Sequence, residues 1–376
     1  MVYAMFSIGI LGFIVWSCFA WAFAHDTWMA SLCRKAWVIY LAVCWNGSTL
    51  VGTLNSENPT SYTQSAGNRQ LNTSASETTR GKSFNFDAFK SAYGLDISNN
   101  WLTWFIGFVE GDGAILVNSA NSQLSLIITQ KERAVLDLIQ QTLGFGKVKY
   151  FRPLKGGKSS GNINGFYRYI VEDVGSIYLL ALLFNGNLAI TRRLVQLTKW
   201  ITLLNTKSGK DITLITTPVS ISLNDAWLSG FTDAEGCFNV KITKNTRYST
   251  GHVVQMRFLL DQKDEPILTI IRDLFGFGVV RLRGETDGVY RYSSAGFIRM
   301  TAIRAYFSLF HLYTKKSLSL GKWSQVHDMV TKGQHLSTSG LERVRQLQKS
   351  INLNNSETIK TGASLAKRYT RTKTKI

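Results

Sequence analysis

The hydrophobic pattern of the chain switches between two periods from about residue 84 onward. In "ERAVLDLIQQTL" (132–143) and "EPILTIIRDLF" (265–275) apolar residues recur every three to four positions, which predicts amphipathic helices. In "CFNVKITK" (237–244) apolar and polar residues alternate, which predicts a strand with one buried face. Glycine pairs follow both helical stretches and predict turns into further strands. The order helix, hairpin, helix, hairpin, helix predicts an α+β fold with antiparallel sheets.

The globular part of the chain is duplicated. "YRY" at 167–169 recurs at 290–292, and "TRR" at 191–193 recurs as "TKK" at 314–316, each time 123 positions later. A longer block, "QKERAVLDLIQQTLGFGKVK" (130–149), returns 132 positions later as "QKDEPILTIIRDLFGFGVVR" (262–281), so the second copy has nine more residues before this block and the first has nine more after it, and the spacing then returns to 123. Because chance matches would not keep one spacing, we predict two copies of a domain of roughly 120 residues, related by a pseudo-twofold axis.

Composition divides the chain into six predicted segments. Residues 1–24 carry no charge and are long enough to cross a bilayer, for which about 20 apolar residues suffice. No basic region precedes them, unlike in a secretory signal. Residues 46–82 are rich in Asn, Ser, Thr and Gly, as in disordered linkers. The segments are a hydrophobic N-terminal segment (1–45), a polar linker (46–83), the first repeat (84–205), an inter-repeat linker (206–221), the second repeat (222–353) and a basic tail (354–376).

The formal net charge is +19, and nearly all of it lies after residue 85. A positive field of this size favours polyanionic partners, nucleic acid first and anionic membrane second, although a merely soluble basic surface is the simpler alternative. The four cysteines form no Cys-x-x-Cys pair and the five histidines show no ligand spacing, so neither a zinc site nor a disulfide framework is indicated.

The polar positions of the predicted strands are mostly Lys, Arg and Gln. An antiparallel sheet commonly keeps one solvated face, and each of these side chains taken singly fits an ordinary solvated charge equally well. The bias toward basic residues favours contact with nucleic acid. The candidate contacts are Lys147, Lys149, Arg168, Lys241, Gln255, Arg257, Arg281, Arg283 and Arg291.

Two related stretches, "GFVEGDG" (107–113) and "GFTDAEG" (230–236), end helices with small residues and acids. Small residues four positions apart lie on one helical stripe and let two backbones approach closely. If these helices pack against each other across the pseudo-twofold axis, their C-terminal ends lie side by side. The predicted interface positions are Gly107, Gly111, Gly230 and Ala234.

The two acids at these ends, Asp112 and Glu235, occupy an unfavourable place. A carboxylate meets the negative end of its helix dipole, and two converging carboxylates repel each other. A cation between them would remove both problems, and hard oxygen ligands select Mg²⁺ or a similar ion. Beside a basic sheet face, this arrangement suggests metal-assisted phosphodiester hydrolysis. The alternative is that the acids are ordinary polar residues after a helix.

"FIGFVEGDG" (105–113) and "LSGFTDAEG" (228–236) resemble the two signature helices of the LAGLIDADG homing endonucleases. The first copy departs from the family pattern at Phe105 and Ile106. The resemblance implies a duplicated αββαββα fold with two antiparallel, DNA-binding β-saddles. It also implies site residues. Those for catalysis are Asp112, Glu235, Gln130, Gln262, Arg192 and Lys315, with Arg193 and Lys316 as alternatives to the last two. Those for the metal, Mg²⁺ or Mn²⁺, are Asp112, Glu235, Gly111 and Ala234.

The same resemblance implies a site-specific monomeric endonuclease that cuts both strands of a DNA target of about 20 base pairs, read in the major groove. Asp112 and Glu235 would then each take part in the cleavage of one DNA strand. The alternative is an RNA maturase that binds its own intron, or a protein with both activities. A membrane protein with an accessory basic domain is a third possibility, which rests on residues 1–45 alone.

The first 17 residues, "MVYAMFSIGILGFIVWS", resemble a transmembrane segment of cytochrome c oxidase subunit I. The similarity stops after Ser17, before any paired histidines. This implies a reading frame that continues from an upstream exon into a mitochondrial intron, with the product in the matrix and no need for an import signal. The alternative is that residues 1–24 anchor the protein in the inner membrane.

Overall fold

The computed structural model of the chain describes residues 83–152, 165–284 and 288–351. The predictions for the hydrophobic N-terminal segment, the polar linker and the basic tail lie outside these ranges. Within them, no helix combines the length and the apolar character that crossing a membrane requires.

The first repeat forms a four-stranded antiparallel sheet with the strand order β1-β2-β4-β3 and helices on one side. Its two hairpins come from consecutive strands, as the alternating pattern predicts, and β2 pairs with β4 in the middle of the sheet. The elements are α1 (Asp87–Tyr93), α2 (Asn99–Asp112), β1 (Gly113–Val117), β2 (Leu124–Gln130), α3 (Arg133–Leu143), β3 (Lys147–Phe151), β4 (Phe166–Val171), α4 (Val174–Phe184) and α5 (Thr191–Ser208).

The second repeat has the same topology, with the strand order β5-β6-β8-β7, and ends with an additional helix. The elements are α6 (Trp227–Glu235), β5 (Gly236–Lys244), β6 (His252–Gln262), α7 (Glu265–Phe275), β7 (Val279–Leu282), β8 (Tyr290–Ala295), α8 (Phe297–Leu309), α9 (Lys316–Thr331), a 3-10 turn (Gln334–Leu336) and α10 (Thr338–Ser350). The predicted α+β class and duplicated topology are confirmed.

The turns after α3 and α7 need glycine for a specific reason. Gly146 and Gly278 adopt φ values of 80° and 97°, which L-residues with a side chain rarely adopt. A Cβ at either position would also collide with the ring of Tyr169 or Tyr292, respectively. Both rings are fully buried and cannot move aside. Each glycine therefore determines the path of the chain from the helix into the next strand.

Side chains just before the helices α2 and α6 satisfy nearby backbone amides. Before α2, the hydroxyl of Ser98 accepts a hydrogen bond from the amide of Trp101 and caps the helix. Before α6, one carboxylate oxygen of Asp225 accepts from the amide of Trp227, and the other accepts from the amide and hydroxyl of Ser222.

The helices α2 and α6, called here the signature helices, pack directly against each other between the two repeats. A Cβ on Gly107 would collide with the carbonyl oxygen of Trp227, and one on Gly230 with that of Trp104. These are backbone atoms, so no side chain could move aside to make room. The core around the pair contains fully buried aromatic rings from both repeats, namely Trp104, Phe105, Phe108, Trp227 and Phe231.

Candidate active site and nucleic-acid interface

The packing of the signature helices brings their terminal carboxylates together. A Cβ on Gly111 would collide with the Cβ of Ala234 and lie 3.3 Å from the Cγ of Glu235. Burial and, after it, the negative charge of the nearby Asp112 raise the pKa of Glu235. Two residues that are 123 positions apart in the sequence therefore share one site, as the twin motifs predict.

Each carboxylate is held by a glutamine from the end of the neighbouring strand. Gln130 Nε2, on β2, donates a hydrogen bond to Asp112 Oδ2. Gln262 Nε2, on β6, donates to Glu235 Oε1 at 3.3 Å. The structure thus places both predicted glutamines beside the predicted acids, in matching positions of the two repeats.

The basic side chains that reach this site are Arg193 and Lys316, the alternatives to Arg192 and Lys315. The guanidinium of Arg193 donates to the carbonyl oxygens of Glu110 and Gly111, and Lys316 Nζ donates to that of Ala234 at 2.7 Å. Arg192 is exposed on the surface of α5. In α5 the helical period explains the difference, because adjacent residues of a helix point about 100° apart.

Burial sets the protonation of the two carboxylates. It raises the pKa of Asp112, against the opposing effects of Lys316, Gln130 and Arg193. It also raises the pKa of Glu235, together with the charge of Asp112, to about 7. Burial lowers the pKa of Arg193 to about 10 and also lowers that of Lys316. The site therefore contains two carboxyl groups and two basic side chains, all of them shielded from solvent.

The raised pKa of Glu235 predicts that the metal-free protein loses stability as the pH rises. Its folded-state pKa of about 7 lies above the ordinary value of 4.5, so between these values the folded chain binds more protons than the unfolded chain. The free energy of unfolding then decreases with increasing pH. Glu235→Gln removes this titration. Denaturation midpoints between about pH 5 and pH 8 should fall more steeply for the unmodified chain than for the variant. Parallel slopes would contradict the assignment.

Oxygen atoms dominate the donors available for a metal. Within the described ranges, no group of three or more His, Cys, Asp or Glu side chains lies close enough to hold one. The donors at the site are the carboxylates of Asp112 and Glu235 and the carbonyl oxygens of Gly111 and Ala234. The two carbonyls already accept hydrogen bonds from Arg193 and Lys316, but each has a second lone pair. This set fits a hard divalent cation that keeps water among its ligands.

Two further acids of the signature helices, Glu110 and Asp233, are buried and have structural partners. The Glu110 carboxylate accepts from the amides of Ala189 and Ile190 and from the indole of Trp227. Burial raises the pKa of Glu110 to about 7, although these three bonds oppose the shift.

The sequence also contains a pattern that relates the buried acids to the tryptophans. Both acids and both tryptophans recur with the spacing of 123 positions that relates the repeats, Glu110 with Asp233 and Trp104 with Trp227. Asp233 has a corresponding set of partners in the second repeat, the amide of Tyr313 and the backbone and hydroxyl of Thr314. A position-by-position comparison of the two repeats would have identified both acids and both tryptophans.

The candidate contacts for nucleic acid lie on one face of each sheet. In the first sheet Lys149 pairs with Arg168 in register, and in the second Lys241 pairs with Gln255 and Arg281 with Arg291. The alternation of strands places the other candidates on these same faces. The face opposite the helices therefore carries Lys147, Lys149 and Arg168 in the first repeat and Lys241, Gln255, Arg257, Arg281, Arg283 and Arg291 in the second.

Some of these side chains have partners within the protein that the sequence pattern did not predict. Asp261, on the same face of β6, accepts two hydrogen bonds from Arg291 and one from Arg283 at 3.0 Å. In the first repeat the guanidinium of Arg168 lies over the rings of Phe151 and Phe166, at 4.8 and 5.1 Å from their centroids. The two faces thus present different chemistry at equivalent positions.

Comparison with known proteins agrees with this geometry. A model of the family described as LAGLIDADG endonuclease matches residues 228–327. "Probable intron-encoded endonuclease 4" of Neurospora crassa is 30% identical over 260 residues, which are 68% of this chain and 45% of the relative. The "Uncharacterized cox1 intron-2 37.2 kDa protein" of Schizosaccharomyces pombe is 26% identical over 66% of this chain and 73% of its own length.

"Intron-encoded RNA maturase bI4" of Saccharomyces cerevisiae is 28% identical over a shorter stretch, 36% of this chain and 19% of that protein. The chain spans just under half the length of the Neurospora relative. Among solved structures, the LAGLIDADG meganuclease I-AabMI bound to uncleaved DNA has a TM-score of 0.54 at 24% identity, covering 67% of this chain and 99% of that one. This likeness shows the fold, with both repeats included. In its duplicated fold, its paired signature helices and its match to the family model over the second repeat, the chain is similar to the LAGLIDADG endonucleases.

Proposed function

We propose that the chain is a site-specific double-strand DNA endonuclease that hydrolyses one phosphodiester bond in each strand of its target. The observation that carries the proposal is the meeting of Asp112 and Glu235 at one site, each held by a glutamine, between two sheets with basic faces. The relatives named as intron-encoded endonucleases and the DNA-bound meganuclease of the same fold support it.

In the proposed reaction Asp112 and Glu235 would hold a divalent metal, Mg²⁺ or Mn²⁺, together with the carbonyl oxygens of Gly111 and Ala234. When bound, the metal supplies Lewis-acid stabilisation of the phosphate and lowers the pKa of water. The protein's own groups orient the carboxylates through Gln130 and Gln262. Arg193 and Lys316 place positive charge beside the phosphate, where negative charge increases as water adds to phosphorus and an ester bond breaks.

The DNA would lie across both basic faces, a duplex of about 20 base pairs contacted in its major groove. Because both repeats are in one chain, a monomer suffices, and the two half-sites need not be identical. The biological role proposed is intron homing: cleavage of the allele that lacks the intron, inside the mitochondrial matrix. The cox1 intron protein among the relatives supports this setting.

The direct test uses the full-length chain with a DNA duplex that spans the exon junction of the host gene without its intron. Addition of Mg²⁺ should give cleavage of both strands at one position each, and chelation with EDTA should abolish cleavage while the protein still retards the duplex in a gel. A duplex of equal length with a scrambled junction is the control. Cleavage that persists in EDTA, or that ignores the sequence, would contradict the proposal.

An RNA maturase is the second candidate, favoured by the relative that carries this name. Basic sheet faces bind either nucleic acid through phosphate contacts, so charge does not discriminate between the candidates. The same preparation should therefore be tested with the intron RNA. Absence of DNA cleavage together with tight, specific binding of that RNA would favour the maturase.

A further inference from the structure

The indole groups of Trp104 and Trp227 each cross from one repeat to the other. Trp104 Nε1 donates to Asp233 Oδ2 at 2.9 Å, and Trp227 Nε1 donates to Glu110 Oε2 at 2.6 Å. Both rings and the Glu110 side chain are fully buried, and Asp233 is 3% exposed. Each bond therefore joins a neutral donor of one repeat to a buried acid of the other, shielded from water.

Each acid in turn holds the backbone that leads into a helix of its own repeat. Glu110 accepts from the amides of Ala189 and Ile190, at 2.9 and 2.7 Å, just before α5. Asp233 accepts from the amides of Tyr313 and Thr314, at 2.7 and 3.2 Å, just before α9. The buried acids thus fix the start of the two helices that carry the basic side chains of the site.

Those side chains complete the connection to the site. Arg193, three residues after Ile190, donates back to the carbonyls of Glu110 and Gly111. Lys316, two residues after Thr314, donates to the carbonyls of Thr232 and Ala234. In each repeat, hydrogen bonds and a short stretch of backbone connect the tryptophan of the other repeat, through a buried acid, to the basic residue that contacts the carbonyl of Gly111 or Ala234.

We infer that Trp227 is a positioning residue for Arg193 in the Asp112 half of the site, and that Trp104 positions Lys316 in the Glu235 half. Each half of the site is then supported by the opposite repeat. This inference rests on the proposed function. It predicts that loss of one indole donor slows cleavage of one DNA strand more than the other, an effect that a general loss of packing would not produce.

The two halves are not supported equally. Glu132 of the first repeat accepts a hydrogen bond from the amide of Lys315 at 2.9 Å, so a second side chain holds the start of α9. The equivalent acid of the second repeat, Asp264, instead caps its own helix by accepting from the amide of Ile267. Removal of the Trp227 donor should therefore have the larger effect of the two.

The test is a single-turnover cleavage assay of the full-length chain with Mg²⁺ and a target duplex that carries a different fluorophore on each strand. Asp112→Asn and Glu235→Gln first establish which strand belongs to which half. Trp227→Phe keeps a buried aromatic ring but removes the donor, and it should slow the Asp112 strand about tenfold relative to the other strand. Trp104→Phe should show the opposite, smaller bias.

Trp200→Phe is the matched control, because its buried indole donates to the carbonyl of Leu116 within the first repeat. It should lower the melting temperature to a similar degree without changing the ratio of the two strand rates. If a Trp→Phe variant fails to fold, Glu110→Gln and Asp233→Asn remove charge from the acceptors and should give the same biases as Trp227→Phe and Trp104→Phe, respectively.

An unchanged ratio of strand rates in all four variants would overturn the inference while leaving the endonuclease proposal intact. Absence of cleavage by the unmodified chain would instead refute the proposed function, and with it the inference. A ratio shifted in opposite directions by the two tryptophan variants is the result we expect.

Discussion

Asp112→Asn is expected to reduce cleavage of one DNA strand at least about 10³-fold, because an amide is a poor ligand for a hard divalent cation and stabilisation worth several kcal/mol is lost. Glu235→Gln should do the same for the other strand, and the double variant should cut neither. Rates for each strand are measured under single-turnover conditions with Mg²⁺ in excess. DNA binding should be retained or strengthened, since negative charge is removed where a phosphate would approach.

Asp96→Asn is a suitable control, because the Asp96 side chain is 97% exposed on the surface and lies outside the site. It should cleave both strands at the rate of the unmodified chain. Strong cleavage by the double variant of Asp112 and Glu235 would exclude the assigned metal site. Above about pH 7, where both carboxylates are ionised, the single variants should also unfold at higher temperature without metal, because the two buried charges no longer repel each other.

Gly230→Ala is expected to separate or unfold the two repeats. A methyl group at this position would collide with the carbonyl oxygen of Trp104, a backbone atom in the middle of the opposite signature helix. Relief requires the helices to move apart, which also opens the aromatic core around them. We expect a loss of about 3 kcal/mol or more, seen as a decrease of roughly 10 °C in melting temperature.

Gly321→Ala is the matched control, since Gly321 also lies within a helix but a Cβ there meets no atom within 4 Å. Alanine should be neutral or stabilise the chain by up to about 1 kcal/mol, as expected from helix propensity. Equal effects of the two substitutions would mean that the close approach of the signature helices does not determine stability.

Much of the fold was predictable because duplication supplies an internal comparison. The spacing of 123 positions between copies related both signature helices and predicted the convergence of Asp112 with Glu235, and the resemblance to a known family pointed to both glutamines. The alternation of strands also predicted one common side of each sheet for the basic-face candidates, and the registers show it for all of them except Arg283, which follows β7. Their roles in catalysis and DNA binding stay predictions until they are measured.

The details that sequence reasoning missed depend on rotation and on distant partners. A choice between Arg192 and Arg193, or between Lys315 and Lys316, depends on the rotation of a helix, and a motif that contains both residues cannot settle it. The pairing of Arg291 with Asp261 depends on cross-strand register between β6 and β8. The crossed tryptophans depend on tertiary packing between residues more than a hundred positions apart.

The crossed bonds also limit how such chains can recombine. Each hydrogen-bonded pair, Trp104 with Asp233 and Trp227 with Glu110, has one member in each repeat. A hybrid that joins one repeat of this chain to the opposite repeat of a relative contains only one residue of each hydrogen-bonded pair from this chain. The repeat from the relative must therefore have a tryptophan and an acid at the corresponding positions. Partner choice in such hybrids is therefore restricted by four buried residues, while the surfaces of the two sheets remain free to diverge.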